Sequence, residues 1–191
     1  MKKLIFFFFV VCALLPVQLL CWIKERDGCF TGAFSAGYVF KHDRGFKEVY
    51  GHGIANVLTG DGCYYFSKPW GIGAKISYWR AKGQTTSLKQ CTLLQEVPIT
   101  VYIRGIEDFR CGLQLYISLG GGIMWMQEKS YLGKVKLHKG IGEVELGLHY
   151  PVWRCLNITT AFRYLFPSQF LCGRKADIGG FDIRAGFEFP F

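Results

Sequence analysis

The sequence predicts an all-β protein, an eight-stranded antiparallel up-and-down transmembrane β-barrel. Three observations lead to this fold class. Apolar and polar residues alternate with period two in segment after segment, and no stretch has the 3.6-residue period of an amphipathic helix. Short and long connections take turns along the chain, which is typical of a meander with two distinct ends. The charged residues of the segments fall on one face, and the opposite face is apolar and aromatic.

Composition sets the outer limits of this prediction. The chain has 191 residues, enough for one domain, with 50% hydrophobic residues, 17% aromatic residues and a net charge of +9. This hydrophobic fraction excludes intrinsic disorder. Only one apolar run is long enough for a membrane helix, so a helical membrane protein is excluded as well.

That single run, Leu4 to Leu20, follows Met1-Lys2-Lys3 and precedes polar residues, which is the order of a secretory signal peptide. An uncleaved anchor helix is the alternative, and Pro16 favours the signal. We therefore expect a signal peptide over residues 1–21, cleaved near Cys21, and a barrel over residues 22–191. Loss of two lysines lowers the net charge to +7.

Seven strands follow directly from the alternation. The segments are 30–40, 70–78, 97–103, 113–125, 143–150, 156–166 and 181–191. An eighth strand must lie between Gly53 and Phe66 for the chain to reverse direction. Apolar residues there change face, as at Val57 and Leu58, which predicts a β-bulge. Short connections are expected at 67–69, 105–110 and 151–154, and long ones at 41–52, 80–92, 126–139 and 167–177.

The placement of charge distinguishes a membrane barrel from a soluble one. Four basic and four acidic residues share the polar faces: Lys75, Arg104, Arg163, Arg184, Glu143, Glu145, Asp182 and Glu188. A soluble barrel has its charges in water, where they need no balance. The narrow interior of a membrane barrel requires paired charges, because an unpaired buried ion is costly. The balance favours an interior charge network, with the apolar faces toward lipid.

The last strand resembles the C-terminal signal of bacterial outer-membrane β-barrel proteins. Its lipid-side residues are Phe181, Ile183, Ala185, Phe187, Phe189 and Phe191. The whole plan is similar to the small eight-stranded members, the OmpX-like proteins and the transmembrane domain of OmpA. This resemblance implies a location in the outer membrane of a Gram-negative bacterium, contact with lipid and lipopolysaccharide, and recognition of Phe187, Phe189 and Phe191 by the barrel assembly machinery.

Six cysteines follow Cys21, more than is common in this family: Cys29, Cys63, Cys91, Cys111, Cys155 and Cys172. Each is expected near a strand end, in an oxidising compartment. We predict bridges Cys29–Cys63, Cys91–Cys172 and Cys111–Cys155. The alternative is that some are free or cross-link to neighbouring proteins. Cysteine-rich envelopes are typical of chlamydia-like bacteria, an affiliation that we expect from composition.

No metal or cofactor is predicted. The histidines His42, His52, His138 and His149 are scattered and show no ligand spacing. Glycine pairs such as Gly71 and Gly73 lie within strands, so they are not phosphate loops. The glycosylation sequon at Asn157 falls on an inward strand position.

Basic residues are concentrated in the predicted long loops. These are Arg80, Lys82, Lys89, Lys129, Lys134, Lys136 and Lys139. One interpretation is that they lie among lipopolysaccharide phosphates, and another is that they bind anionic host glycans. Nucleic acid is not expected as a partner at a cell exterior.

These features favour a structural or surface-interaction role, adhesion-like, and not an enzyme. A narrow, porin-like channel is one alternative, because inward glycines would leave gaps: Gly37, Gly71, Gly73, Gly120 and Gly122. A lipid A-modifying enzyme is another. No histidine has serine two residues later, and a looser set of His42, Asp43 and Ser87 has no further support.

Overall fold

The computed structural model describes residues 28–41, 44–51, 53–84, 90–109, 112–131, 133–153, 155–167 and 179–191. Eight antiparallel strands form a closed barrel in which each strand pairs with the next and β8 pairs with β1. The strands are β1 (Cys29–Lys41), β2 (Ile54–Ser67), β3 (Trp70–Gln84), β4 (Cys91–Asp108), β5 (Gln114–Ser130), β6 (Gly133–Trp153), β7 (Leu156–Pro167) and β8 (Gly180–Pro190). One short helix, α1 (Arg44–Tyr50), follows β1. The predicted fold class is confirmed.

Two sequence predictions concern other parts of the chain. The signal peptide predicted over residues 1–21 lies outside the described residues, so it stays a prediction. Within the described residues, none of the helical structure is long and apolar enough to span a membrane.

The two faces of the barrel differ sharply. Large apolar side chains such as Phe34 and Leu119 point outward and keep more than half of their surface exposed, at 56% and 58%. The alternate residues point inward and are buried, as Thr100 and Arg104 are on β4. An apolar surface of this extent is not left in water, because burying it is strongly favourable. The outer face is therefore a lipid-facing belt.

The β-bulge predicted in β2 does not occur where Val57 and Leu58 suggest a change of face. The β1–β2 register runs without a shift from the pair Phe40 and Ile54 to the pair Cys29 and Tyr65. The apparent change of face arises because Val57 and Tyr65 are large apolar residues that point inward, where both are fully buried. An irregularity occurs only at the end of β2, where its pairing with β3 shifts between Tyr65 and Ser67.

Two of the predicted long loops are largely strand. The β5–β6 ladder continues to the pair Ser130 and Gly133, so most of residues 126–139 form a hairpin. Likewise β3 extends to Gln84 and β4 begins at Cys91. The β6–β7 ladder ends earlier, at Ile141 and Pro167. Because the β3 to β6 ladders are longer, the barrel wall is taller there. The sequence did not predict these extensions because their charged residues obscured the hydrophobic pattern.

Helix α1 packs across the long-loop end of the interior. Phe46 and Tyr50 contact an inward cluster that includes Val57 and Trp79. The rings of Phe46 and Trp79 meet edge to face, with 6.1 Å between their centroids. Gly83 allows this close approach, because a Cβ there would lie 2.1 Å from the Val49 carbonyl oxygen. The helix therefore covers the apolar upper tier of the interior.

The C-terminus completes closure of the barrel. The backbone N–H of Phe191 donates to the Phe30 carbonyl oxygen at 2.7 Å, beyond the end of β8. The Phe30 and Phe191 rings lie 6.2 Å apart. Phe187 is half exposed on the lipid-facing belt, while Phe189 is partly covered. These positions are compatible with the predicted assembly signal, which stays a prediction.

Candidate functional site

The barrel interior contains the charges that the sequence predicted to face inward. All eight are at most 3% exposed. They are Lys75, Arg104, Arg163 and Arg184 with Glu143, Glu145, Asp182 and Glu188. Seven of them belong to one continuous network in the middle of the barrel, and Glu188 lies in a separate group.

Glu145 is the centre of this network. It accepts from Lys75 Nζ at 2.6 Å, from Tyr116 Oη at 3.1 Å and from Arg184 Nη2. Lys75 reaches Glu143 as well, at 3.1 Å, and lies over the Tyr102 ring. Each charge thus contacts at least one opposite charge, which compensates for its removal from water.

A second part of the network joins β7 and β8. Arg163 donates to Asp182 Oδ2 from Nε at 2.8 Å and from Nη2 at 2.6 Å. Its third nitrogen, Nη1, donates to Ser77 Oγ across the barrel at 3.0 Å. Arg184 Nε lies 2.8 Å from Asp182 Oδ1. Asp182 therefore holds two guanidinium groups in place, and Arg163 links opposite walls.

Sequence reasoning missed Asp61, which belongs to this network. Arg104 Nη2 donates to Asp61 Oδ2 at 2.7 Å, and Tyr102 donates to the same carboxylate. Asp61 was missed because β2 was thought to change face within its length. The unbroken odd-numbered positions from Thr59 to Cys63 would have indicated it. With Asp61 included, the central network holds four cations and four carboxylates.

Two further charged groups lie above and below the centre. Toward α1, Lys41 Nζ donates to Glu96 Oε2 at 3.0 Å and lies over the Trp79 ring. Lys41 had been assigned to a loop, and Glu96 had not been placed. Toward the short-turn end, Glu188 Oε2 lies 2.9 Å from His149 Nδ1. Glu188 therefore pairs with a histidine that the sequence indicated only as one of four scattered ones.

The expected gaps at inward glycines are filled, which corrects one argument for a channel. A Cβ at Gly73 would lie 2.4 Å from the Tyr102 ring, and one at Gly120 would lie 2.7 Å from Tyr102 Cβ. At Gly71 the nearest atom is Cys63 Sγ, 2.9 Å away. Cβ atoms at two further positions, Gly37 and Gly122, would lie 1.9 Å from a carbonyl oxygen of the neighbouring strand. Glycine allows tyrosines and backbone to pack closely there.

A small cavity does lie beside Glu145 and His149. Its volume is about 10 Å³, room for one water molecule. Ser35, Asp61 and Arg184 also line it, so its walls offer polar groups to a water molecule. A single water would fit this site, and the surrounding tiers of side chains fill the barrel above and below it.

The cysteine predictions need correction. Cys63 and Cys91 carry free thiols, so the bridges Cys29–Cys63 and Cys91–Cys172 are wrong. Register explains the first, because Cys29 lies opposite Tyr65 and is only a diagonal neighbour of Cys63, too far for a disulfide. The Cys29 thiol instead donates to the Phe191 carbonyl oxygen at 3.2 Å.

Cys155 is disulfide-bonded. Cys111, its predicted partner, lies outside the described residues, so this pairing stays a prediction. Cys172 lies outside them as well. The same holds for His42, Asp43 and Ser87, the loose set considered for an enzyme, and for His52.

Six of the seven basic residues predicted in loops lie on strands. Arg80 and Lys82 lie near the end of β3, Lys129 lies near the end of β5, and three more lie in the first part of β6: Lys134, Lys136 and Lys139. Lys89 lies outside the described residues. Five of them share the outward parity of the lipid-facing belt, and we call this set the basic flank: Arg80, Lys82, Lys129, Lys134 and Lys136. Lys139 has the inward parity and is half-buried.

No family model and no curated protein matches this sequence, but solved structures do. The chain is similar to OprG from Pseudomonas aeruginosa, with a TM-score of 0.62 at 13% identity, covering 87% of this chain and 97% of OprG. It is similar to Neisserial surface protein A, with a TM-score of 0.59 at 13% identity, covering 86% and 98%. Its fold is that of a small outer-membrane β-barrel.

A third outer-membrane neighbour is the attachment invasion locus protein, Ail, of Yersinia pestis. It has a TM-score of 0.54 at 15% identity, covering 86% of this chain and 99% of Ail. The shared fold and the lipid-facing belt of this barrel together place it in the outer membrane, as predicted. The chlamydia-like affiliation stays a prediction.

Proposed function

We propose that this outer-membrane β-barrel acts as a surface-interaction protein, with a locked interior and an exterior that binds anionic groups. The observation that carries the proposal is the basic flank. Its five cations lie on the tall side of the wall, and the residues between them on the outward face are Leu93, Gln95 and Gln127, with no carboxylate. Such a surface attracts anions, and most strongly at low salt.

The interior supports a binding role over conduction. Eight charges of the central network hold one another across the barrel, and α1 covers the apolar tier above them. Opening a path would require several buried ion pairs to separate, which is costly. The binding role is also compatible with one neighbour, since an Ail structure is described in complex with the heparin analogue sucrose octasulfate.

We further propose that the chain binds and does not catalyse. The positions of the two described histidines support this proposal. His149 is buried beside Glu188, and His138 lies on the exposed outward face, near the Trp125 ring.

The test measures anion binding by purified, refolded protein in detergent. Immobilised heparin and lipopolysaccharide serve as probes at low and high salt. We expect salt-sensitive retention that is lost when all five basic-flank residues are replaced by Gln. Equal retention of the charge-depleted variant would contradict the proposal. Stepwise conductance of the native protein in planar bilayers would contradict the proposed function and support the channel alternative.

Control measurements separate binding from folding. Heat-modifiable gel mobility reports whether each variant still forms the barrel. A change in lipid A acylation that depends on the protein would support the enzyme alternative instead.

A further inference from the structure

The basic flank faces sideways from the barrel wall. Strand register places its residues in two rows that cross four strands. One row contains Lys82, Leu93, Lys129 and Lys134. The adjacent row contains Arg80, Gln95, Gln127 and Lys136. A ligand of both rows would therefore lie against the side of the barrel and not on top of it.

The next rows down the wall are those of the lipid-facing belt. Below Gln127 and Lys136 come Trp125 and His138, and below those come Ile123 and Gly140. Trp125 and Ile123 are each about half exposed. Aromatic rings are typical of the membrane–water interface, so Arg80 and Lys136, which lie in the next outward row beyond Trp125, are at the level of lipid headgroups.

The amides between the cations are held in place. Gln127 Nε2 donates to Gln95 Oε1 at 3.2 Å, and Gln95 Nε2 donates to the Tyr78 hydroxyl at 3.1 Å. Tyr78 lies on the belt side of these rows, 39% exposed. This chain of hydrogen bonds joins the row of Arg80 and Lys136 to the aromatic row. The strand pairing fixes the spacing between the backbone positions of the cations.

The opposite side of the barrel lacks this feature. The upper outward positions of β7, β8, β1 and β2 carry Phe166, Phe181, Phe40 and Ile54 in the described residues. Ring stacking continues there, with Phe40 and Phe181 centroids 4.8 Å apart. The positive charge of the described wall is therefore confined to one side.

We propose that the basic flank is a binding site for the phosphate groups of lipopolysaccharide in the same outer leaflet. This inference rests on the proposed function and names the partner of its anion-binding surface. With neighbouring strands about 4.8 Å apart, Lys82 and Lys134 are separated by about 14 Å. Lysines at this spacing can bind two phosphates on one lipid or on adjacent lipids. The position beside lipid headgroups favours a lipid over a glycan carried by another cell.

The experiment uses native protein in phospholipid nanodiscs and titrates it with purified lipopolysaccharide. The same lipopolysaccharide after enzymatic dephosphorylation, and soluble heparin, are the comparison probes. The flank variant is Arg80→Gln/Lys82→Gln. Its control is Lys47→Gln/Lys68→Gln, which removes equal charge from exposed positions on α1 and on the short β2–β3 turn.

One lysine or arginine near an anionic surface changes affinity by about fivefold. We therefore expect the flank variant to bind phosphorylated lipopolysaccharide about 25-fold more weakly and the control to bind within about twofold of the native protein. Dephosphorylated lipopolysaccharide should bind weakly to all three. Heat-modifiable mobility verifies that each variant is folded.

Two results would overturn the inference. Equal binding of phosphorylated and dephosphorylated lipopolysaccharide would exclude phosphate recognition. If heparin binding depends on Arg80 and Lys82 but lipopolysaccharide binding does not, the basic flank binds a soluble glycan, and the proposed function still stands. Failure of every anionic probe to bind would contradict both.

Discussion

Glu145 offers the sharpest test of the interior network. Replacing it by Gln keeps the shape of the side chain and removes one of four carboxylates that balance four cations. Lys75 and Arg184 lose their shortest ionic contacts, and both are at most 3% exposed, so water cannot replace the missing charge. Breaking a buried ion pair in this way costs about 3–5 kcal/mol.

We expect the lower end of that range, about 3 kcal/mol, because each cation keeps another partner. Lys75 retains Glu143 at 3.1 Å, and Arg184 retains Asp182 at 2.8 Å. The Tyr116 hydroxyl can still donate to the carbonyl oxygen of the new amide. The loss should therefore be electrostatic and not steric.

The assay is equilibrium unfolding by guanidinium chloride in lipid vesicles, followed by tryptophan fluorescence and by heat-modifiable gel mobility. The matched control is Glu107→Gln, an exposed carboxylate on β4. We expect the control to lie within about 0.5 kcal/mol of the native protein. An unfolding free energy of Glu145→Gln equal to that of the control would refute the reasoning.

A double-mutant cycle identifies the interaction itself. Lys75→Met alone removes the cation that Glu143 and Glu145 share. Lys75→Met together with Glu145→Gln removes one charge of each sign, so the network stays balanced. The two changes should therefore be less than additive, with a coupling free energy of at least about 1 kcal/mol. Additive losses would mean that Lys75 and Glu145 do not act as a pair.

Three other predictions follow from packing and titration. Gly73→Ala should lower the unfolding free energy by about 1–3 kcal/mol, because its Cβ would overlap the Tyr102 ring, whereas Gly60→Ala, with its nearest atom 3.8 Å away, should be neutral in the same unfolding assay. A maleimide reagent should label exposed Cys91 in the folded protein and buried Cys63 only after unfolding, which mass spectrometry of the labelled peptides checks. Burial of Tyr50, with Glu128 nearby, raises its pKa to about 12, so its contribution to stability should be present below pH 10 and be lost between about pH 10 and 12.

Controls for the last two use the same positions. Tyr50→Phe should remove the part of the alkaline loss that comes from Tyr50, and an unchanged pH profile of stability would show that this tyrosine does not contribute. Labelling of Cys63 at the rate of Cys91 in the folded barrel would contradict its burial against Tyr65 and Gly71.

Several features of this barrel were predictable because a strand has an exact two-residue repeat. In β4, for example, alternation indicated at once that Val101 faces lipid and that Thr100 and Tyr102 face inward. Charge then indicated which face was inside, because Arg104 and its neighbours on the polar face required partners. In β2 the same repeat held, but large inward residues such as Val57 resembled a change of face.

Partner choice was not predictable in the same way. Glu188 was grouped with the central charges, yet register places it beside Asn157 and near His149. Asp61 takes the fourth carboxylate position in the network instead. Parity shows which way a side chain points, but it does not show its height along the barrel or the residue that it meets on the opposite wall.

The sequence by itself determined the barrel, its two faces and the need for a balanced interior, because these depend on local alternation and on the cost of burying charge. Only the tertiary structure decided which ions pair, that Cys63 forms no disulfide with Cys29, and that the barrel wall is taller at β3 to β6. These features depend on register between strands that are distant in sequence. Register also turned the predicted basic loops into an ordered flank, since Lys82 and Lys134 meet in one row only when β3 to β6 are paired.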